Sequence, residues 1–435
     1  MSMQLSRFSF VMILLVYLAF APIGLDLLYN PLIAGPYDSP WPPVYGQVRN
    51  FACIIFGTAI LLTDSRGPAV KSLAPFLPFL LFAALTIMWS PDQKTSERQL
   101  YHLISLMIWM AAVIRWISLP SLLRMTSIIN GFIVILSVIL AIFVPKIGLH
   151  HGTDLVEPSH AGNWRGAFIH KNILGEFAVT SLLLLLRDLK REPPVWKFFF
   201  WIARAAAIAC IIFSKSSNGI LGIACGGAVY ALLIYRPTSR PVFLIPATII
   251  SLILIYGLSL QAADLASLLG RDSHFSGRTE IWQFAQGIIN QRIWVGHGYA
   301  SADATIGDIT SKVLFSSASS LHSGYLDVLF ELGAIGMILL SFVVLFVLTR
   351  AYFATFTTEG VDRQAIVAYI AIVASACVMA AGESSPFRVV GDGAIGFWLS
   401  LIALCQIPTV QRRSAARAAE PSRSSNRALL AVNRA

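Results

Sequence analysis

Long apolar runs leave this chain very few folds. Twelve segments, each near the roughly 20 residues that a spanning helix needs, recur along it: 8–28, 44–63, 73–89, 100–119, 122–144, 168–186, 198–213, 217–235, 241–262, 324–349, 364–382 and 391–408. A bilayer's hydrocarbon core is about 30 Å thick and a helix rises about 1.5 Å per residue, so these runs match membrane crossings. In lipid only helices and closed barrels satisfy every backbone N–H and C=O, and these runs are too long and evenly apolar for barrel strands. Charged residues make up 12% of the chain, against about 25% in soluble proteins. Charges that sparse cannot clothe a soluble globule of 435 residues. The expected fold class is all-α, a polytopic membrane helix bundle of about 12 transmembrane helices.

The predicted organisation follows from the spacing of the runs. Residues 1–262 carry the first nine helices with an exported loop at 145–167. Residues 263–321 form a large exported loop between helices 9 and 10, and 322–408 carry the last three helices. The tail, 409–435, is rich in Arg, Ala and Ser with no apolar period, and is expected to be disordered beside anionic lipid. Two runs, 73–89 and 100–119, are short or interrupted, and 44–63 carries Arg49 near one end. The weakest is 198–213, where Arg204 needs an interface to reach. At the start, Arg7, an apolar run and Ala19-Phe20-Ala21 imitate a cleavable leader, but Pro22 directly follows, so the helix is read as retained.

Charge orients the bundle. With the N-terminus in the cytoplasm and twelve alternating helices, nineteen of the 32 Lys and Arg residues fall inside. Eight fall outside once the long loop is set apart, since long loops translocate whatever their charge. Both termini are therefore expected in the cytoplasm. The net charge of +10 reports this topology and anionic headgroups, and it implies no nucleic acid. The five cysteines all lie within the runs and no Cys-x-x-Cys occurs, which excludes a disulfide framework or zinc ribbon.

In this topology the unexplained polar residues collect on the exported side. The loop at 145–167 runs into His170-Lys171-Asn172 at a helix start. The long loop holds Gly277-Arg278 with Trp282, then Gly296-His297-Gly298, and ends at Leu321-His322-Ser323-Gly324-Tyr325. Lys171 and Glu176 in one run, and Asp327 and Glu331 in another, are ionisable at membrane depth, where function is the default reading and structural pairing the alternative. His150, His151, Asp154, Glu157 and His160 invite a metal, but lack helical ligand spacing, so no metal or cofactor is expected. What remains is a set of exported cations, Arg165, Lys171, Lys215, Arg278 and Arg388, suited to phosphate oxygens or to lipid headgroups. His322 at a helix end has an intrinsic proton affinity suited to taking a hydroxyl proton near neutral pH.

At these residues the chain resembles the O-antigen ligase and Wzy-type polysaccharide polymerase superfamily, particularly its ExoQ-like exopolysaccharide-polymerase branch. The resemblance covers about residues 145–340. It is carried by Asn163-Trp164-Arg165-Gly166, Phe168-Ile169-His170-Lys171-Asn172 with Gly175, and Ser214-Lys215-Ser216. Gly277-Arg278 with Trp282, Gly296-His297-Gly298, and His322 with Tyr325-Leu326 and Glu331-Leu332-Gly333 complete it. It implies a metal-independent glycosyltransferase of the bacterial inner membrane that takes a glycan from undecaprenyl diphosphate on the periplasmic side. The acceptor is another glycan repeat or, in a ligase, lipid A core; other polysaccharide-assembly proteins are candidate partners. By the resemblance His322 is the general base and Arg278 the diphosphate ligand, with Arg165, His170, Lys171, Asn172, Lys215, Tyr325 and Glu331 as candidate substrate-binding residues. Two departures stand out: Ser217-Asn218 replace the Arg-Thr of many relatives, and Ser323 stands where an asparagine commonly follows the histidine. A lipid-linked glycan flippase or other transporter is the alternative of another class.

The charge bias predicts that a C-terminal alkaline-phosphatase fusion is inactive and a C-terminal fluorescent-protein fusion bright. A fusion inserted in 263–321 should reverse both results; an active C-terminal phosphatase would overturn the topology.

Overall fold

The computed structural model describes residues 43–63, 73–115, 117–153, 160–235, 278–302, 305–306, 321–384, 386–387 and 392–407. The predicted runs 8–28 and 241–262, the tail 409–435 and most of the loop 263–321 lie outside the described residues, as do Asp154, Glu157 and Arg388. Among the described residues the chain is all-helical, with a single isolated β-bridge between Leu149 and Trp164.

Helices occupy the other ten predicted runs. In chain order they are α1 (Pro43–Thr63), α2 (Leu77–Thr86), flanked by short 3-10 turns, α3 (Gln93–Arg115) and α4 (Leu119–Phe143). Then come α5 (Lys171–Leu185), α6 (Pro194–Phe213) and α7 (Ser217–Tyr235). A shorter helix, α8 (Arg278–Ile289), precedes α9 (Gly324–Thr357), α10 (Gly360–Met379) and α11 (Asp392–Cys405). By length and composition five of them, α4, α6, α7, α9 and α10, are able to cross a membrane; shorter apolar helices span Gln47–Leu62, Ala74–Trp89 and Ile395–Cys405. Large apolar side chains stand exposed on the bundle's outside, among them Leu81, Phe132, Phe198, Trp201 and Phe342, which is the surface expected of a protein solvated by lipid.

Helix α5 is the centre of the bundle. It packs against α4, α6, α7, α10 and α11, and its residues from Leu174 to Ser181 are all buried. Small residues permit this crowding, because lipid offers no hydrophobic gain and close packing must supply the attraction. A Cβ on Gly175 would fall 2.6 Å from that of Ser216, so only glycine lets α5 meet the turn before α7. The far end of α5 is closed by Arg204, whose guanidinium donates to the carbonyls of Leu185 and Arg187, each at 2.8 Å. The arginine that was expected to snorkel alone is a helix C-cap, placed where cations suit the helix dipole.

Helix α9 breaks at Gly333, the one non-helical residue inside it, at φ 62°. The break frees backbone groups on both sides, and the segment 293–298 takes them up. His297 and Gly298 amides donate to the carbonyls of Phe330 and Glu331, at 2.8 and 2.9 Å. The Ala334 and Ile335 amides donate to Ile293 and Trp294, at 2.8 and 3.1 Å. A Cβ on Gly333 would sit 2.5 Å from the Trp294 carbonyl. The end of α2 locks the same segment, since Trp89 Nε1 donates to the Gly296 carbonyl and the Tyr299 amide to Thr86 Oγ1.

Gly333→Ala combines a left-handed backbone with a backbone clash and should destabilise the protein by at least about 2 kcal/mol in detergent. An unchanged midpoint would show that the joint relaxes freely.

At the loop between α5 and α6, buried Glu192 pairs with Arg124 at 2.8 Å and Arg187 at 2.7 Å. Burial pushes its carboxyl up, but the two arginines outweigh this and hold it below the ordinary carboxylate value. A lowered folded-state pKa stabilises above the unfolded value and is lost as pH falls through the folded one. Glu192→Gln should therefore cost about 2 kcal/mol at pH 7, with the difference from wild type shrinking below pH 4. A pH-independent difference would rule out the ion pair as its source.

Candidate active site

The site is built where three helix ends meet. His322 sits just before α9 in a left-handed backbone conformation at φ 50°, a region uncommon for residues other than glycine, though His, like Asn and Asp, enters it more often than most. Ser323 then caps α9, its hydroxyl accepting from the Leu326 amide. The Gly324 amide donates to the carbonyls of Ala380 and Glu383, at 2.8 and 3.1 Å, so the turn leaving α10 is tied to the turn entering α9. Across that tie His322 Nδ1 lies 3.5 Å from Glu383 Oε2, at ion-pair distance. The other carboxylate oxygen of Glu383 accepts from Asn172 Nδ2 at 2.6 Å. Asn172 is in the first turn of α5, so the bundle's central helix carries the third member of the chain.

Helix α8 reaches the same turn from the other side. Its apolar face, Ile281, Ala285 and Ile289 at four-residue spacing, buries against Leu321 and Phe330. Trp282 Nε1 donates to the Leu321 carbonyl at 2.7 Å, directly before His322. Arg278 opens this helix, four residues before Trp282. The two sequence candidates for the chemistry, separated by more than forty residues, are thus brought to adjoining elements.

Other candidates divide. Lys171 begins α5, and Lys215 stands exposed in the α6–α7 turn at φ 50°, between the buried Ser214 and Ser216. Gly175 against Ser216 sets that turn beside the first turns of α5. Arg165, by contrast, donates through Nε to the Ile147 carbonyl at 2.9 Å and through a terminal nitrogen to the Lys146 carbonyl at 3.5 Å, which braces the connection after α4. Tyr325 donates to the Cys377 carbonyl at 2.8 Å and packs on Phe387, as a packing residue does. Glu331 belongs to the α9 joint, where Oε1 lies 3.5 Å from the Ala302 amide. Gly296-His297-Gly298 serves the same joint, and His297 Nε2 contacts the Ile288 carbonyl at 2.9 Å.

Two residues were missed or misread in the sequence. Glu383 carries no local pattern in Ala-Gly-Glu-Ser-Ser-Pro, and only the fold brings it to His322. Asn218, the second residue of the departing Ser217-Asn218 pair, turns inward: its Nδ2 donates to the Met379 carbonyl at 2.7 Å and lies 3.4 Å from fully buried Glu176. It braces the turn that presents Glu383.

The histidine loop also differs from expectation. His151 turns outward onto the Lys146 carbonyl at 3.1 Å. His150 and His160 are joined instead by His170, the N-cap of α5, with candidate ligand nitrogens within 4.8 Å of one another. Two loop residues and a helix cap spread over twenty positions have no spacing a sequence motif would register.

Residues 202–341, which contain the second half of α6, all of α7 and α8, His322 and the α9 joint, match the family described as O-Antigen ligase. The chain is similar to O-antigen ligases and Wzy-type, ExoQ-like proteins. The exopolysaccharide production protein ExoQ of Rhizobium meliloti (strain 1021) is 26% identical over 327 residues, covering 69% of this chain and 70% of that protein. Together with the apolar helices, this similarity identifies an integral membrane protein.

Proposed function

We propose that the protein is an inner-membrane glycosyltransferase that polymerises undecaprenyl-diphosphate-linked oligosaccharide repeats into exopolysaccharide on the periplasmic side. The observation that carries this reading is the chain from His322 through Glu383 to Asn172, set beside the helix that Arg278 opens. Likeness to a protein named for exopolysaccharide production and a match to an O-antigen ligase family support the same class.

In the proposed step His322, with Nδ1 facing Glu383 and its side chain 29% exposed, takes the proton of the acceptor hydroxyl. That oxygen bonds to the anomeric carbon while the bond to the lipid diphosphate breaks, and the diphosphate leaves with the electron pair. Arg278 grips the diphosphate with its planar fork, and Lys171 and Lys215 add positive charge. These fixed cations take the part that magnesium plays in nucleotide-sugar enzymes, so the chemistry is proposed to need no divalent ion. Glu383 is a positioning residue: it orients the imidazole and stabilises the imidazolium formed during transfer, and Asn172 holds it in place. The match to the O-antigen ligase family favours a second reading within the class, transfer to lipid A core. A transporter would need a polar path through the spans, whereas these groups gather at one set of helix ends.

Purified protein in detergent, given lipid-diphosphate oligosaccharide, tests the reading, because only an enzyme lengthens glycan with no membrane to cross. His322→Ala should fold, bind donor and lose two to four orders of magnitude in rate. A stable variant keeping more than about a tenth of wild-type turnover would sink the base assignment. Adding Mg2+ or Mn2+ after chelation should not raise turnover.

Arg278→Lys should lose most activity although its charge survives, since an ammonium cannot reproduce the fork; near-wild-type turnover would reduce Arg278 to a point charge. Glu383→Gln should lower kcat about 10- to 100-fold with KM little changed, the signature of an interaction made in the transition state. An equal rise in KM with kcat intact would instead make Glu383 a binding residue.

A further inference from the structure

Beside the transfer site, at the start of α5, stands the cluster of His150, His160 and His170. We propose that these three side chains form a binding site for a divalent cation of the zinc class, one that fastens the exported loop to the start of α5. The proposal stands whether or not the chain transfers glycans.

The rings are arranged as ligands of one ion would be. Their centroids are 5.2, 5.5 and 5.7 Å apart and their planes cross at 64–75°, three blades around a common centre. Imidazoles bound to one tetrahedral ion through nitrogens at about 2.0–2.1 Å have centroids about 5 Å apart. One nitrogen from each ring lies within 4.8 Å of the other two.

Backbone bonds hold the geometry in advance. The His150 amide donates to the Asn163 carbonyl and the Gly162 amide to the His150 carbonyl, both at 2.9 Å, pinning the strand of loop after His160 against His150. His170 is fixed as the cap of α5. The Lys171 amide donates to His150 Nε2 at 3.0 Å and the Asn172 amide to His170 Nδ1 at 3.2 Å. Each of these nitrogens is the one acceptor an uncharged imidazole offers, so an ion would bind there by taking the place of the amide proton, and until then the amides hold the two rings beside the common centre.

The donor set selects the ion. Three imidazole nitrogens suit Zn2+ and neighbouring late transition metals, whereas Mg2+ and Ca2+ demand oxygen ligands. His150 is 5% exposed and the other two are half-buried, which leaves a fourth position for water or hydroxide. The positive end of α5 opposes a bare cation and so favours hydroxide there. An ion at this place would also stiffen the first turn of α5, two residues before Asn172.

The test uses full-length protein in detergent, carrying a non-histidine affinity tag and stripped by a chelator that is then removed. Zn2+ titrated by calorimetry should bind one ion per chain at this site and raise the thermal midpoint by several degrees. Mg2+ should do neither. His160→Gln should fold to the same metal-free midpoint and weaken Zn2+ binding at least tenfold, with the midpoint shift abolished. His151→Ala, in the same loop but turned outward, should behave as wild type. If Zn2+ fails to bind, or if His160→Gln keeps the wild-type affinity and midpoint shift, the site is overturned. Should His160→Gln not fold, loss of one bound ion per chain in His170→Gln decides by the same criterion.

Discussion

A helix that breaks inside a membrane protein must find partners for the backbone groups it releases, because unsatisfied N–H and C=O groups in lipid cost several kcal/mol each. In α9 the break at Gly333 hands two carbonyls and two amides to residues 293–298, and the end of α2 clamps that segment from behind. This exchange decides where the segment 293–298 sits against α9. It fixes the end of α8, hence the apolar face that α8 lays on Leu321 and Phe330, and hence the carbonyl that Trp282 holds one residue before His322. A break that looks like a defect in the helix is what aims the loop at the site.

The other half of the site depends on α5. A polar first turn suits the exported end, and Gly175 allows the α6–α7 turn to press against it. Below that turn Glu176, Thr180 and Ser181 are buried among neighbouring helices, where Asn218 and Asn130 offer partners: Ser181 Oγ lies 3.0 Å from Asn130 Oδ1. These groups keep α5 in register, so that Asn172 meets Glu383. Of the two ionisable residues of this helix, Glu176 is thus buried among its neighbours while Lys171 stands at the first turn.

Hydropathy made the helices legible, since apolar runs of spanning length leave no other structure in lipid. Ten of the runs appear as helices, although α3 begins seven residues early with a polar turn. The order of short motifs along the chain did not tell which of them the fold uses as backbone joints. Gly296-His297-Gly298 and Glu331-Leu332-Gly333 look like site motifs and turn out to be the two faces of one joint. A cluster of polar and glycine residues reads alike in both cases, because a broken helix and a binding loop share the need for unusual backbone. Glu383 and the pairing of His170 with His150 and His160 were illegible for a different reason: each depends on contacts between turns far apart in sequence.

The partner chosen to hold Glu383 bears on the proposed chemistry. An arginine could brace the carboxylate with two bonds, and it would also neutralise the carboxylate. Asn172 is uncharged, so its bond fixes one oxygen and leaves the negative charge directed at His322. In a transfer step the imidazole becomes positive as the diphosphate gains charge. A carboxylate behind the imidazole and cations around the diphosphate then both interact more strongly in the transition state than before it, which is the condition for lowering the barrier.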